Sequence, residues 1–216
     1  SSKYEGAYTA GDRSYQLVYD YVAALNKSGK PSLKVANEYL ASQTDLTTPE
    51  NLKFILEAAA QVDCKCFELL EQYKTEITKL TSDEAVNAKI RQACENTVKR
   101  AIEYESPDLI QLAAGTMKRH GISDADYFES KSHIQYALAL HDLNNMETLV
   151  NQHVKKFVKN DGAGLHQLAL DLDKYAGDDK SCRDLAISLA GKAAKEEDPK
   201  FVSTYAKLKH KSGARS

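Results

Sequence analysis

Tryptophan is absent from these 216 residues, methionine occurs twice, proline four times and glycine only 10 times. A β-rich chain of many short strands needs Gly and Pro at its turns, so this scarcity argues against one. No apolar run approaches the roughly 18 residues that a membrane-spanning helix needs. Neither sign of charge dominates: 29 basic against 31 acidic residues leave a formal charge of −2. That balance offers no global attraction for nucleic acid or anionic lipid. The four cysteines include no CxxC, and no HExxH or GxSxG occurs. Zinc-binding, disulfide-framework and nucleophile-elbow signals are therefore missing. There is no initiator Met and no signal-peptide pattern at Ser1, so the chain reads as a processed form or a fragment, any export signal already removed.

What the chain has in quantity is helical periodicity. Hydrophobic residues make up 42% and charged residues 28%, ordinary for a globular chain. Residues 1–12 (SSKYEGAYTAGD) lack periodicity and read as a leader or linker. From Arg13 the apolar residues recur at three- and four-residue steps. Val18, Tyr21, Val22 and Leu25 form one stripe, Ala36, Tyr39 and Leu40 the next. Thr48-Pro49-Glu50 and Ser106-Pro107-Asp108 are helix starts, with a capping hydroxyl, a proline lacking an amide and an acid at the positive dipole end. Asp63 is placed to cap a helix running to Leu80, with Cys66, Leu69, Leu70, Tyr73, Ile77 and Leu80 inward. A long helix follows to about Tyr104, with Val86, Ile90, Ala93, Cys94, Thr97, Val98 and Ala101 as its stripe. Further helices cover 107–120, 123–142, 146–159, one around Leu165–Leu172, 181–197 and 199–213. The expectation is an all-α fold of about eleven helices in antiparallel pairs, in one domain over 13–216.

One cassette returns. Tyr21–Gly29 (YVAALNKSG) matches Tyr205–Gly213 (YAKLKHKSG), and Tyr136–Asn144 (YALALHDLN) is a weaker echo with Asn in place of Gly. Gly and Asn tolerate the left-handed backbone that stops a helix, so each cassette reads as packing followed by a stop. Ala186-x3-Ala190-x2-Ala193, then Pro199 and Tyr205-Ala206, resembles the small-and-large pattern of tetratricopeptide repeats. The likeness is fair over 182–213, looser over 17–41 and poor between about 48 and 120. It implies a short right-handed α–α superhelix, irregular in the middle. The strings ACENTVKRAIEY (93–104), NEYLASQ (37–43) and TYAKLKHKSG (204–213) resemble the helical region behind thioredoxin-like domains in exported bacterial proteins. That resemblance implies an exported or periplasmic accessory role, with any oxidoreductase chemistry in a domain preceding Ser1. The last repeat lacks a second helix before Ala214-Arg215-Ser216, so the expectation is a truncated array whose last helix exposes apolar surface or self-associates.

Candidate chemistry is thin. Cys64 and Cys66, placed on one helix, would lie about 200° apart and could not face one another. Cys66, Cys94 and Cys182 fall on apolar stripes, where thiols act as small hydrophobes. His153 also lies in its stripe and reads as a satisfied core histidine. Gly162-Ala163-Gly164 resembles a phosphate-binding turn but lacks the preceding strand, and so reads as a helix breaker. No catalytic, cofactor or metal residues are assigned. Surface recognition remains: the helical-repeat resemblance implies a concave face lined by the first helix of each pair, which would present Gln16, Tyr19, Asn26 and Lys27, then Lys131 and His141, then Lys207 and His210. The expected function is a non-catalytic protein- or peptide-binding scaffold. Its rivals are an enzyme assembled from separate helices and a purely structural spacer. Nucleic acid and membrane insertion are not expected.

Overall fold

The helix starts follow the local chemistry. Thr48 Oγ1 accepts the amide of Asn51 at 3.3 Å with Pro49 in the first helical position. Ser82 Oγ accepts the amide of Ala85 at 3.1 Å, and Asp161 and Asp179 cap two later helices through the amides of Gly164 and Cys182. The computed structural model describes residues 2–213. Among them there is no strand and there are thirteen α-helices. These are α1 (Ser2–Thr9), α2 (Tyr15–Lys27), α3 (Leu33–Ala41), α4 (Pro49–Ala58), α5 (Lys65–Gln72), α6 (Lys74–Leu80) and α7 (Asp83–Glu103). The rest are α8 (Pro107–Arg119), α9 (Ala125–Ala139), α10 (Met146–His153), α11 (Gly162–Ala176), α12 (Lys180–Ala193) and α13 (Pro199–Gly213). No helix among the described residues is long and apolar enough to cross a membrane.

Two of these helices were not expected. The stretch read as a leader forms α1, where the Tyr8 hydroxyl donates to Glu38 at 2.5 Å and its ring lies 5.5 Å from that of Tyr21. The helix expected from Asp63 to Leu80 is two helices, broken at Tyr73 (φ −104°, ψ 21°). Cys64, not Asp63, occupies the cap position, while Asp63 pairs with Arg100. The break turns Leu80 out of the stripe to 37% exposure.

By their contacts the residues group into two compact units. The first runs to Glu103 and takes in Asp108–Ala125; the second holds Tyr104–Pro107 and the chain from Asp126 on. In the first unit, all seven residues of the expected α7 stripe are buried. Helix α4 touches α2, α3, α5, α6 and α7. A helix surrounded on that many sides buries more than one stripe. Phe54 is therefore wholly buried, 4.3 Å from the Tyr39 ring, and Phe67 is buried likewise. In the second unit one apolar cluster joins α9 to α13, and α11 packs extensively against α12. The Tyr205 ring lies over Gly191, 3.1 Å from where a Cβ would sit. In the last helix Phe201 and Leu208 are buried and Val202 is 45% exposed.

The repeated cassette does not stop its helices in one way. At Gly29 (φ 66°) the amide of Lys30 donates to Leu25 O and that of Gly29 to Asn26 O. These are the paired bonds of a left-handed helix stop. In the weaker echo the same pair forms at His141 (φ 54°), through Asp142 N to Ala137 O and His141 N to Leu138 O. Asn144, the expected stop, lies beyond it. Gly213 still belongs to α13, and Ala214, Arg215 and Ser216, on which the truncation argument rested, lie outside the described residues.

Candidate functional site

Helix α4 stops at Ala58, leaving C-terminal carbonyls that no later turn can satisfy. Side chains from other helices of the first unit meet them. Asn26 Nδ2 on α2 donates to Glu57 O at 2.9 Å, and Lys89 Nζ on α7 donates to the same oxygen at 3.1 Å. Asn96 Nδ2 donates to Ala60 O at 3.0 Å. Thr97 Oγ1 accepts the Val62 amide at 3.0 Å and donates to Ala93 O at 2.9 Å. The Glu57 carboxylate then sits between Asn26 Nδ2 at 3.2 Å and Lys89 Nζ at 3.5 Å.

An open groove of about 630 Å³ adjoins this polar knot. Tyr19 of α2 stands on one side and Leu56 and Lys53 of α4 on another, while Ala85, Ala88 and Gln92 of α7 face it as well. Burial, with Glu57 nearby, pushes the Tyr19 hydroxyl pKa up, so the ring presents a neutral hydrogen-bonding tip. Arg91 at the edge is paired with Asp124. The lining contains neither histidine nor cysteine. The signal was present in the sequence: Ala85, Ala88 and Gln92 follow helical steps on the wet side of α7.

The other expected recognition residues have varied surroundings. Gln16 is exposed and donates to Asp20 at 3.1 Å. Asn26 is committed to the α4 end and accepts from Ser32 Oγ at 2.5 Å. Lys27 is exposed. These lie with Tyr19 in the first unit. In the second, Lys131 is half-buried with Nζ 5.9 Å from the Tyr127 ring centre. His141 serves as the stop of α9 and approaches Asp178 at 4.0 Å. Lys207 and His210 are exposed on α13.

Polar side chains overlooked at first also cluster elsewhere. Glu71 accepts from Arg119 Nη2 and pairs with His120 Nε2, each at 2.8 Å, while His120 Nδ1 lies 3.2 Å from Lys74 Nζ. Burial pushes the Glu71 carboxyl up, but these hydrogen bonds outweigh it and hold the pKa below the ordinary carboxylate range. The group ties the end of α5 and the start of α6 to the end of α8. His153, as expected, is buried and satisfied, with Nδ1 3.0 Å from Ser130 Oγ. The amide of Gly162 donates to Glu196 Oε1 at 2.7 Å. The anion seat at the head of α11 is thus filled by the protein's own carboxylate, which a Cβ at Gly162 would strike.

The cysteines need a correction. Cys64 lies outside the helix in extended backbone (φ −115°, ψ 155°), so the helical 200° separation does not apply. Its thiol donates to Gln61 O at 2.9 Å, and that of Cys66 lies 3.8 Å from Asn37 Oδ1. Among the described residues no three His, Cys, Asp or Glu side chains converge to hold a metal ion. No family model, curated protein or solved structure matches this chain.

Proposed function

We propose that the chain is a protein- or peptide-binding helical scaffold whose groove between α2, α4 and α7 takes a short extended segment of a partner. The observation that carries this reading is the groove itself: open, lined by Tyr19, Leu56, Ala85 and Ala88, and edged by Lys53, Gln92 and Glu95. The tetratricopeptide-like pattern over 182–213 supports a right-handed array of antiparallel helix pairs. The likeness to helical regions behind thioredoxin-like domains supports an accessory role in an exported, periplasmic setting.

The test is a peptide-library titration of the isotopically labelled protein followed by amide shifts. Binding peptides should perturb amides around Leu56 and Ala88, and Ala88→Arg, an exposed change on α7, should weaken them about tenfold or more. Peptides that bind equally to Ala88→Arg, or that perturb only amides remote from α2, α4 and α7, overturn the reading.

A further inference from the structure

The groove between α2, α4 and α7 has a direction, which the polar ties beside it reveal. Lys89 Nζ reaches Glu57 O at 3.1 Å, Asn96 Nδ2 reaches Ala60 O at 3.0 Å and Thr97 Oγ1 takes the Val62 amide at 3.0 Å. The partners advance together along both segments, so α4 and α7 run the same way beside the groove. Lys53, Leu56 and Glu57 share one face of α4, and Ala85, Ala88, Gln92 and Glu95 share one face of α7, by their three- and four-residue steps. With Glu57 opposite Lys89, Lys53 marks one end of the groove and Glu95 the other. They stand about ten residues of helix apart, or ~15 Å. The apolar Leu56 and Ala88 lie between these ends, and Tyr19 lines the same groove from α2.

The charges along the groove are not equally available. Glu57 and Lys89 neutralise one another at 3.5 Å, and Arg91 is held by Asp124. Glu95, one turn past Arg91, adds a weaker attraction to that guanidinium. Among the described residues Lys53 and Glu95 are exposed and make no ion pair. The groove thus offers a cation at one end, an apolar middle and a carboxylate at the other end. An extended chain rises about 3.3 Å per residue and turns alternate side chains to one face, so its first, third and fifth side chains enter together and span ~13 Å. The long side chains of Lys53 and Glu95 reach over the remainder. One residue more would lengthen the span to ~17 Å and turn the last side chain away.

We propose that the groove selects an extended internal segment of a protein partner that carries an acidic, an apolar and a basic residue at alternate positions. This selection rests on the peptide-binding reading given above. The acid pairs with Lys53, the apolar side chain covers Leu56 and Ala88, and the base pairs with Glu95. Gln92, whose amide both donates and accepts, meets the backbone of the segment. The order of the charges is fixed and the chain direction is not, since a segment of either direction can present them in that order.

The probe is the peptide acetyl-Glu-Thr-Leu-Thr-Lys-amide, whose blocked ends leave only side-chain charges, titrated into the labelled protein and followed by amide shifts. It should perturb amides around Leu56 and Ala88 and bind about fivefold or more tighter than the same peptide with Glu at both ends or Lys at both ends. Lys53→Glu should transfer the preference to the peptide with two Lys, and Glu95→Lys to the peptide with two Glu. Equal affinity for the three peptides overturns the inference, as does either variant keeping the wild-type preference. If a variant fails to fold, the three-peptide comparison on the wild type alone decides. Library peptides that bind the groove without regard to charge order overturn this inference and leave the peptide-binding reading standing, whereas no perturbation of groove amides by any peptide overturns both.

Discussion

In the first unit α4 ends early and its open carbonyls are met by Asn26, Lys89 and Asn96 from other helices. In the second unit α11 and α12 run 15 and 14 residues and contribute Ala169, Ala176, Ala186, Ala190 and Ala193 to one buried cluster. Small side chains let helix axes approach closely without polar assistance. The contrast teaches where a surface for recognition arises. Breaking α4 leaves polar backbone that must be satisfied, and the side chains sent to satisfy it border a groove.

The titratable groups divide in the same way. Every histidine except His120 belongs to the second unit, and three of the four cysteines to the first. The first unit's His120 shares a hydrogen bond with Glu71. In the second unit His153 and His166 are buried against Ser130 and Thr204 respectively.

Removing the ring of Phe54 should have the largest effect. Phe54→Ala is expected to cost about 3–5 kcal/mol by emptying a site surrounded by helices. Hydrogen exchange should show protection lost in α4 and α7 and retained in α11 and α12; equal loss in both would merge the two units into one cooperative body. Thr97→Val keeps the shape but strands the buried Val62 amide. It should cost about 1–3 kcal/mol by denaturant melting, and a neutral outcome would mean that the α4 break needs no polar support.

Helix stops test a smaller term in both units. Gly29→Ala places a Cβ in left-handed backbone and should destabilise by about 1 kcal/mol, whereas His141→Gly should stabilise by a similar amount. Thermal melts of the pair should move in opposite directions, and a destabilised His141→Gly would assign the histidine side chain a role beyond stopping α9.

The smallest expected effect is that of acid on the second unit. Burial, with Lys131 near His153 and Lys200 near His166, lowers both imidazole pKa values from the usual 6.5. A lowered histidine pKa means that the unfolded chain binds the proton first. The stability these residues carry is therefore present above about 6.5 and is lost as pH falls through the folded-state values. Exchange protection in α10 and α11 should fall with pH in that window, and His153→Gln with His166→Gln should flatten the dependence. An unchanged slope in the double variant would detach the pH response from these two rings.

Helix by helix, periodicity made much of the interior legible. The buried residues of α7 and α12 keep to one helical face, as apolar spacing requires. Phe54 escaped because α4 touches five other helices and buries more than one stripe. In the candidate site Tyr19 was legible beside its stripe, but Glu57 and Lys89 were not, since their pairing depends on where α4 stops.

The sequence by itself determined that the chain is all-helical, where most helices begin and which faces go inward, since caps and apolar spacing act within a few residues. Tertiary structure alone decided that Tyr73 would break a helix, that His141 and not Asn144 would stop α9, and that Thr97 would serve a distant amide. It also decided that Cys64 would leave the helix and turn its thiol to Gln61 O. Each of these depends on partners far along the chain, or on a backbone angle that packing selects, and no local pattern encodes either.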